Sequence, residues 1–228
     1  MIHGGPATLD NPSYTPDRDY PIEAFAAKGA VILRPNYRGS TGYGEKFRSL
    51  ILGNIGIGPY EDMISGVDFL IAKGIVDPDR MGVMGWSQGG YNTAFAATYG
   101  DRFKAASVGA GITDWVTYYV NTDLQWFTRQ MLGATPWENP EIYRIHSPIS
   151  YATRAKTPIL FQHGSRDPRV PVPDAFELYR ALKDKGIPTK LILYSGFGHI
   201  IDEPKSQLAV MQHNYAWFSK YIWGEDSR

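Results

Sequence analysis

Arg80–Gly90 reads RMGVMGWSQGG, and its interpretation decides the fold. A short apolar run, Met81 to Met84, leads into the sharp turn Gly85-Trp86-Ser87-Gln88-Gly89. A segment with helical spacing, Tyr91 to Tyr99, follows. Gly-x-Ser-x-Gly between a strand and a helix is a nucleophile elbow: a strained turn lifts the serine hydroxyl above the sheet edge. The residues two before and two after the serine must be small, because backbone packs against them. Gly85 and Gly89 fill those places. The bare pattern also suits an ordinary glycine-rich strand-to-helix turn, so its weight depends on the partners found elsewhere in the chain.

The composition sets bounds. A chain of 228 residues is long enough for one domain, 1–228, with its own core. Lysine plus arginine (23) equal aspartate plus glutamate (23), so no basic footprint suggests nucleic acid. With no cysteine there is neither a disulfide nor a thiolate metal site, which fits a reducing, cytoplasmic setting. No apolar run approaches membrane-spanning length, and Met1-Ile2 opens into polar sequence without a signal peptide.

Outward from the elbow, strands and helices alternate. Ala30–Leu33 reads as a buried strand by its β-branched content, after a short helix at 22–28. Helical spacing runs from Pro59 to Lys73 and is closed by Gly74. Ala105–Gly111, Pro158–Gln162 and Lys190–Tyr194 read as further strands, with helices at 173–185 and about 204–222. Residues 112–150 break the rhythm with Trp115, Tyr118, Tyr119, Trp126, Phe127, Trp137 and Tyr143. They read as helices that cap the strand ends and line a pocket, or, for about half of these aromatics, as plain core. Such alternation predicts an α/β fold, a mostly parallel sheet with helices on both faces. Ligands bind beyond the carboxyl ends of its strands.

Ser87, Asp167 and His199 each follow a predicted strand directly, and so fall on that edge. Their order, Ser then Asp then His, is that of the α/β-hydrolase triad. Competing residues fit less well. His163 looks like a structural lead-in to the Asp167 loop. His146 and His213 have no acid partner in pattern and read as surface or packing residues. Asp202 and Glu203 follow His199 too closely to orient its far nitrogen. The glycine-rich loop Asn36–Gly44 lacks both the Gly-Lys-Ser/Thr ending and the Gly-x-Gly-x-x-Gly spacing of nucleotide sites. No helical His-x-x-x-His or carboxylate cluster calls for a metal, and nothing calls for another cofactor. His3-Gly4-Gly5-Pro6 resembles the oxyanion loop of α/β-hydrolases, with His3 as its orienter.

These pieces together, HGGP at His3–Pro6, NYRGSTGYG at Asn36–Gly44, GWSQGGY at Gly85–Tyr91, HGSRDPRVP at His163–Pro171 and GFGH at Gly196–His199, resemble the catalytic domain of the prolyl oligopeptidase family of serine peptidases, its acylaminoacyl-peptidase and dipeptidyl-peptidase branches above all. The resemblance implies a serine hydrolase with the α/β-hydrolase fold, N-terminally truncated and without the family's β-propeller. Only Met1 and Ile2 remain of the strand that feeds His-Gly-Gly. It implies Ser87, Asp167 and His199 as catalytic residues and the backbone N–H groups of Gly5 and Gln88 as the oxyanion hole. Trp86, Ile112, Trp115, Tyr118 and Val170 are implied on the substrate side. Gln88 and Arg169 stand where the dipeptidyl-peptidase branch has tyrosine and asparagine, which argues against strict proline specificity. The substrate expected is a small acyl ester, with a short peptide as the alternative. A non-catalytic binding domain on the same scaffold is the reading from another class. The incomplete sheet also predicts a homo-oligomer through its N-terminal side.

Overall fold

The computed structural model describes residues 1–11 and 17–225. Its centre is a sheet of four parallel strands, β1 (Gly82–Trp86), β2 (Ala105–Gly109), β3 (Ile159–Gly164) and β4 (Thr189–Tyr194), in that spatial order. The register pairs Trp86 with Gly109, Gly109 with Gln162, and Gly164 with Tyr194, so the carboxyl ends lie along one edge. β2 and β3 are buried along their whole length, as expected of strands covered on both faces.

Before the sheet come α1 (Ile22–Ala27), α2 (Glu45–Ser49) and α3 (Ile57–Ala72). Helix α4 (Gln88–Tyr99) leaves the elbow and is buried from Gln88 to Thr98. It begins three residues before the expected start at Tyr91, because the elbow turns straight into its first helical turn. On the other face, α9 (Pro204–Trp223) crosses the sheet. Its Phe218 ring occupies the space beside Gly82. Its Asn214 accepts a 2.5 Å hydrogen bond from Ser107 of β2. Residues 112–154 form α5 (Trp115–Asn121), α6 (Gln125–Leu132), α7 (Pro140–His146) and a 3-10 helix, Pro148–Arg154. Helix α8 (Pro173–Asp184) lies between β3 and β4 in the chain. No helix among the described residues is long and apolar enough to cross a membrane.

One expectation fails. Ala30–Leu33 is not a buried strand: it joins no ladder, and Val31 is 50 % exposed. β-branched content favours an extended chain, but a strand also needs a neighbour for its N–H and C=O groups. On this side of β1 the N-terminal strip meets it at a single bridge. Ile2 bridges to Gly85 and donates its N–H to the Met84 carbonyl at 2.8 Å, while the Met1 amine donates to the Leu33 carbonyl. Beyond that, β1 and Ala30–Leu33 face each other across a cavity of about 310 Å³ lined by Ile2, Phe25, Leu33, Met63, Met84 and Phe218.

Candidate active site

Ser87 has φ 62° and ψ −124°, a conformation that L-residues adopt only under constraint and at a cost of about 1–3 kcal/mol. The constraint is visible. The Ser87 N–H donates to the Gly109 carbonyl at 2.9 Å, and the Ser87 carbonyl accepts from Tyr91 N–H at 2.9 Å. Gly85 and Gly89 are needed for a reason the sequence only half revealed. A β-carbon on Gly89 would stand 2.1 Å from the Ile2 carbonyl oxygen, and one on Gly85 would stand 2.7 Å from the same atom. The N-terminal strip thus lies directly across the elbow.

Ser87 Oγ is 2.8 Å from His199 Nε2, and His199 Nδ1 is 2.7 Å from Asp167 Oδ2. An ionised carboxylate only accepts, so Nδ1 carries the proton and Nε2 is left to accept from the serine hydroxyl. The Asp167 side chain is fully buried, while that of His199 is 22 % exposed on the open side. Burial alone would raise the Asp167 carboxyl. Hydrogen bonds from His163 and His199, the charge His199 can carry, and the Val170 N–H outweigh it and hold the group well below the usual carboxylate range. Its other oxygen accepts from the N–H groups of Arg169 (2.8 Å) and Val170 (3.0 Å).

His163 is buried with Nε2 2.7 Å from the Val170 carbonyl and 3.5 Å from Asp167 Oδ2. It braces the acid loop, the structural part its position suggested. Gly164 is what lets the His199 loop in: a β-carbon there would come within 2.0 Å of the Gly198 carbonyl oxygen. His146, read as surface or packing, is buried, with Nε2 3.1 Å from the Gly53 carbonyl and Nδ1 accepting from Gly56 N–H at 3.3 Å.

Gly4 lies against the nucleophile, for a β-carbon on it would be 3.4 Å from Ser87 Cβ. Gly5 follows with φ 123°. His3 is stacked on Tyr37 with ring centroids 4.5 Å apart, and its Nε2 is 2.8 Å from Ser40 Oγ. The Tyr37 hydroxyl donates to the His3 carbonyl at 3.0 Å, so the strip is anchored at His3 from both side chain and backbone. Burial lowers the pKa of the His3 imidazole, which favours the neutral ring. Gln88 is the first residue of α4, so its N–H has no helical acceptor.

The residues expected on the substrate side divide. Ile112, Trp115, Tyr118 and Val170 all belong to the buried core, Trp115 with no exposed surface at all. The Trp115 ring meets Tyr91 and Tyr118 edge-on, at centroid distances of 5.1 and 5.4 Å. Trp115 and Tyr118 are thus packed as the core alternative for the aromatics has it, with Ile112 and Val170 buried in the same cluster. Trp86 is half-buried, and its indole N–H donates to the His199 carbonyl at 2.9 Å. Asp174 escaped the sequence reading altogether. It is fully buried, and its Oδ1 accepts from the N–H groups of Thr113 (2.9 Å) and Asp114 (3.1 Å), just beyond β2. An aspartate in the first turn of a helix carries no signal of contacts some 60 residues away.

Comparison with known proteins gives the chain its family. A model of the prolyl oligopeptidase family matches residues 17–225. An acylamino-acid-releasing enzyme of Arabidopsis thaliana is 32 % identical over 97 % of this chain and 30 % of its own length. An uncharacterized peptidase of Bacillus subtilis is 33 % identical over 97 % of this chain and 34 % of its own. Among solved structures, a Pyrococcus horikoshii acylaminoacyl peptidase superposes with a TM-score of 0.91 at 31 % identity. It covers 100 % of this chain, which spans 37 % of it. A Mycobacterium tuberculosis puromycin-hydrolyzing peptidase does so with a TM-score of 0.91 at 29 % identity over 100 % of this chain and 34 % of its own. The chain spans about a third of the length of these relatives. With its parallel sheet, its elbow and a family match running almost from end to end, the chain belongs to the prolyl oligopeptidase family of serine hydrolases.

Proposed function

We propose that this chain hydrolyses acyl esters, and acylaminoacyl or short peptide bonds, through an acyl-enzyme on Ser87. The observation that carries the reading is the continuous hydrogen-bonded line from Ser87 Oγ through His199 to a buried, ionised Asp167. Ser87 Oγ attacks the acyl carbon as His199 Nε2 takes its proton. The same nitrogen then protonates the departing alcohol or amine. Water enters by the reverse route: His199 accepts its proton, and the acid leaves as Ser87 recovers a hydrogen. Asp167 keeps the imidazole in the tautomer that leaves Nε2 free and stabilises the imidazolium.

The N–H groups of Gln88 and Gly5 are the oxyanion donors in this reading. Losing one such donor typically costs about 2.7–4 kcal/mol of transition-state stabilisation. The position of Gly4 against Ser87 Cβ supports the assignment, since it brings the strip to the nucleophile. Ester turnover is the first activity to expect, because an alkoxide leaves more readily than an amine. The acylaminoacyl and puromycin-hydrolyzing relatives favour the amide as second substrate class. A purely binding role is disfavoured, since a bent, strained serine held 2.8 Å from an oriented imidazole has no use in binding alone.

The test is a fluorophosphonate adduct located by mass spectrometry, together with turnover of p-nitrophenyl esters and peptidyl p-nitroanilides. Labelling of Ser87 that Ser87→Ala abolishes is expected; an adduct on another residue overturns the assignment. The ratio of the two turnover rates ranks ester against peptide. Self-association through the side of the sheet that bears the apolar cavity and the exposed Val31 belongs to the same proposal. Light scattering showing a monomer at micromolar concentration would remove it.

A further inference from the structure

His199 sits on a segment without regular structure, so something other than a strand or helix must hold it. The first half of that segment is tied to the acid loop. Gly196 N–H donates to Ser165 Oγ at 2.9 Å, and the Phe197 carbonyl accepts from Arg166 N–H at 2.8 Å. At His199 itself the backbone tether is the Trp86 indole, whose Nε1–H donates to the His199 carbonyl at 2.9 Å. This indole is a firm support. Trp86 ends β1 in register with Gly109, and its ring lies so close over Gly109 that a β-carbon there would be 2.1 Å from Cε3. The ring also packs against the small core cluster of Tyr194, Ile201 and Val210.

Two successive residues of the elbow therefore grip one histidine. Ser87 Oγ meets Nε2 at 2.8 Å, Trp86 Nε1 meets the main-chain oxygen at 2.9 Å, and Asp167 Oδ2 meets Nδ1 at 2.7 Å. The two side-chain contacts fix the plane of the imidazole but not the position of its Cα. The base has to stay in reach while its contact with Ser87 is broken in the acyl-enzyme, and Asp167 alone then holds the ring. We propose that Trp86 is a positioning residue for His199, fixing its backbone against β1 so that Nε2 remains over the nucleophile through both proton transfers. This replaces the substrate contact expected of Trp86 and rests on the triad reading above. The sequence places the support beside the nucleophile: residue 86 precedes residue 87, so any shift of the elbow carries serine and histidine together.

The experiment compares Trp86→Phe, which keeps an aromatic ring without the donor, with replacement of Trp86 by 3-benzothienylalanine, which keeps the bicyclic shape and puts sulfur where the N–H was. Each full chain is assayed with p-nitrophenyl acetate, melted, and examined for the far-downfield proton resonance of His199 Nδ1–H. The sulfur isostere should melt as the wild type does. It should lower kcat by about five- to tenfold, the effect of one lost neutral hydrogen bond, with KM within about twofold. It should also broaden the resonance by faster exchange. A raised KM with unchanged kcat would mean that Trp86 faces substrate and would overturn the proposal. Unchanged kinetics with an unchanged resonance would do the same. If Trp86→Phe fails to fold, the isostere alone decides. If the wild type turns over no ester, the hydrolase reading fails separately, and the resonance still decides whether the indole steadies His199.

Discussion

Gly89→Ala tests how the elbow is built. The added methyl would stand 2.1 Å from the Ile2 carbonyl oxygen, 2.9 Å from the Ile2 carbonyl carbon and 3.0 Å from the His3 carbonyl oxygen. Carbon–oxygen contacts are comfortable from about 3.3 Å, so one backbone must retreat by about 1 Å. Helix α4 cannot, being buried from Gln88 to Thr98 and pinned to the elbow by Tyr91 N–H. The N-terminal strip must move instead. It would lose the Ile2–Met84 hydrogen bond, worth about 1 kcal/mol. It would also lose much of the burial of Ile2, now 5 % exposed, worth about 1.5–3 kcal/mol when complete. A destabilisation of about 3 kcal/mol follows, a fall in melting temperature of about 6–12 °C for a chain of this size. The strip also carries Gly4 and Gly5, so on the proposed oxyanion role of the Gly5 N–H, kcat for p-nitrophenyl acetate should fall by about 10²–10³. Gly198→Ala is the matched control. It adjoins His199, yet its β-carbon would meet nothing closer than 4.0 Å, and rate and melting should stay near wild type. If Gly89→Ala kept wild-type kcat and melting, the strip would not lie across the elbow as described.

Asp167→Asn should lower kcat by about 10⁴, because an amide can donate to Nδ1 and select the wrong tautomer; equal activity would remove Asp167 from the mechanism. Trp115→Ala should destabilise the fold by about 3–5 kcal/mol and slow all substrates alike, since the ring has no exposed surface. A changed acyl-length preference at an unchanged melting temperature would restore it to the pocket. Asp174 is one pH-sensitive group. Burial raises its pKa well above the ordinary value of 3.8, against the pull of the Thr113 and Asp114 N–H groups. The folded chain keeps this proton where the unfolded chain has released it, so its contribution is complete below about pH 4 and is lost as the pH climbs towards the folded value. Asp174→Asn keeps the acceptor for Thr113 and Asp114 but cannot ionise. Melting curves should show it gaining on the wild type as pH rises from 5 to 8; parallel curves would refute the assignment.

What could be read in the sequence is what short-range chemistry determines. The four strands announce themselves as apolar runs ended by glycine or by a turn. Ser87, Asp167 and His199 follow from their place after strand ends, a rule of topology that needs no knowledge of contacts. Ala30–Leu33 shows the limit of that logic, for β-branched residues record a preference for extended backbone and say nothing of whether a partner lies alongside. Aromatic spacing between Trp115 and Tyr143 is equally silent on direction. It leaves Trp126 58 % and Trp137 72 % exposed, while Trp115 disappears into the core. The bracing part of His163 is legible because its contact is local: it lies at the end of β3, only seven residues before Val170 in the loop that follows. Asp174 capping the chain beyond β2 is not.

The site is assembled chiefly by backbone approaching backbone. Ile2 crosses Gly89, and Phe197 and Gly198 cross Gly164; at Gly109 it is the Trp86 side chain that comes over the backbone. At each crossing the smallest residue is needed on one side, which is why the motifs that surround the triad are glycine motifs and not charged ones. This has an energetic consequence. Side-chain contacts can relax around a displaced neighbour, but two main chains in contact transmit a shift to everything covalently attached to them. The strip that would carry the Gly5 oxyanion donor, the elbow with Ser87 and Gln88, and the loop with His199 are connected in this way through β1 and its two flanking contacts, Ile2 on one side and Gly109 on the other. The strained φ of Ser87, costing about 1–3 kcal/mol, persists because these crossings leave the elbow nowhere to relax. Substitutions at Gly85, Gly89 and Gly164 should therefore depress catalysis by more than their distance from the reacting atoms suggests. Changes to the exposed faces of α6 and α7 should leave it untouched.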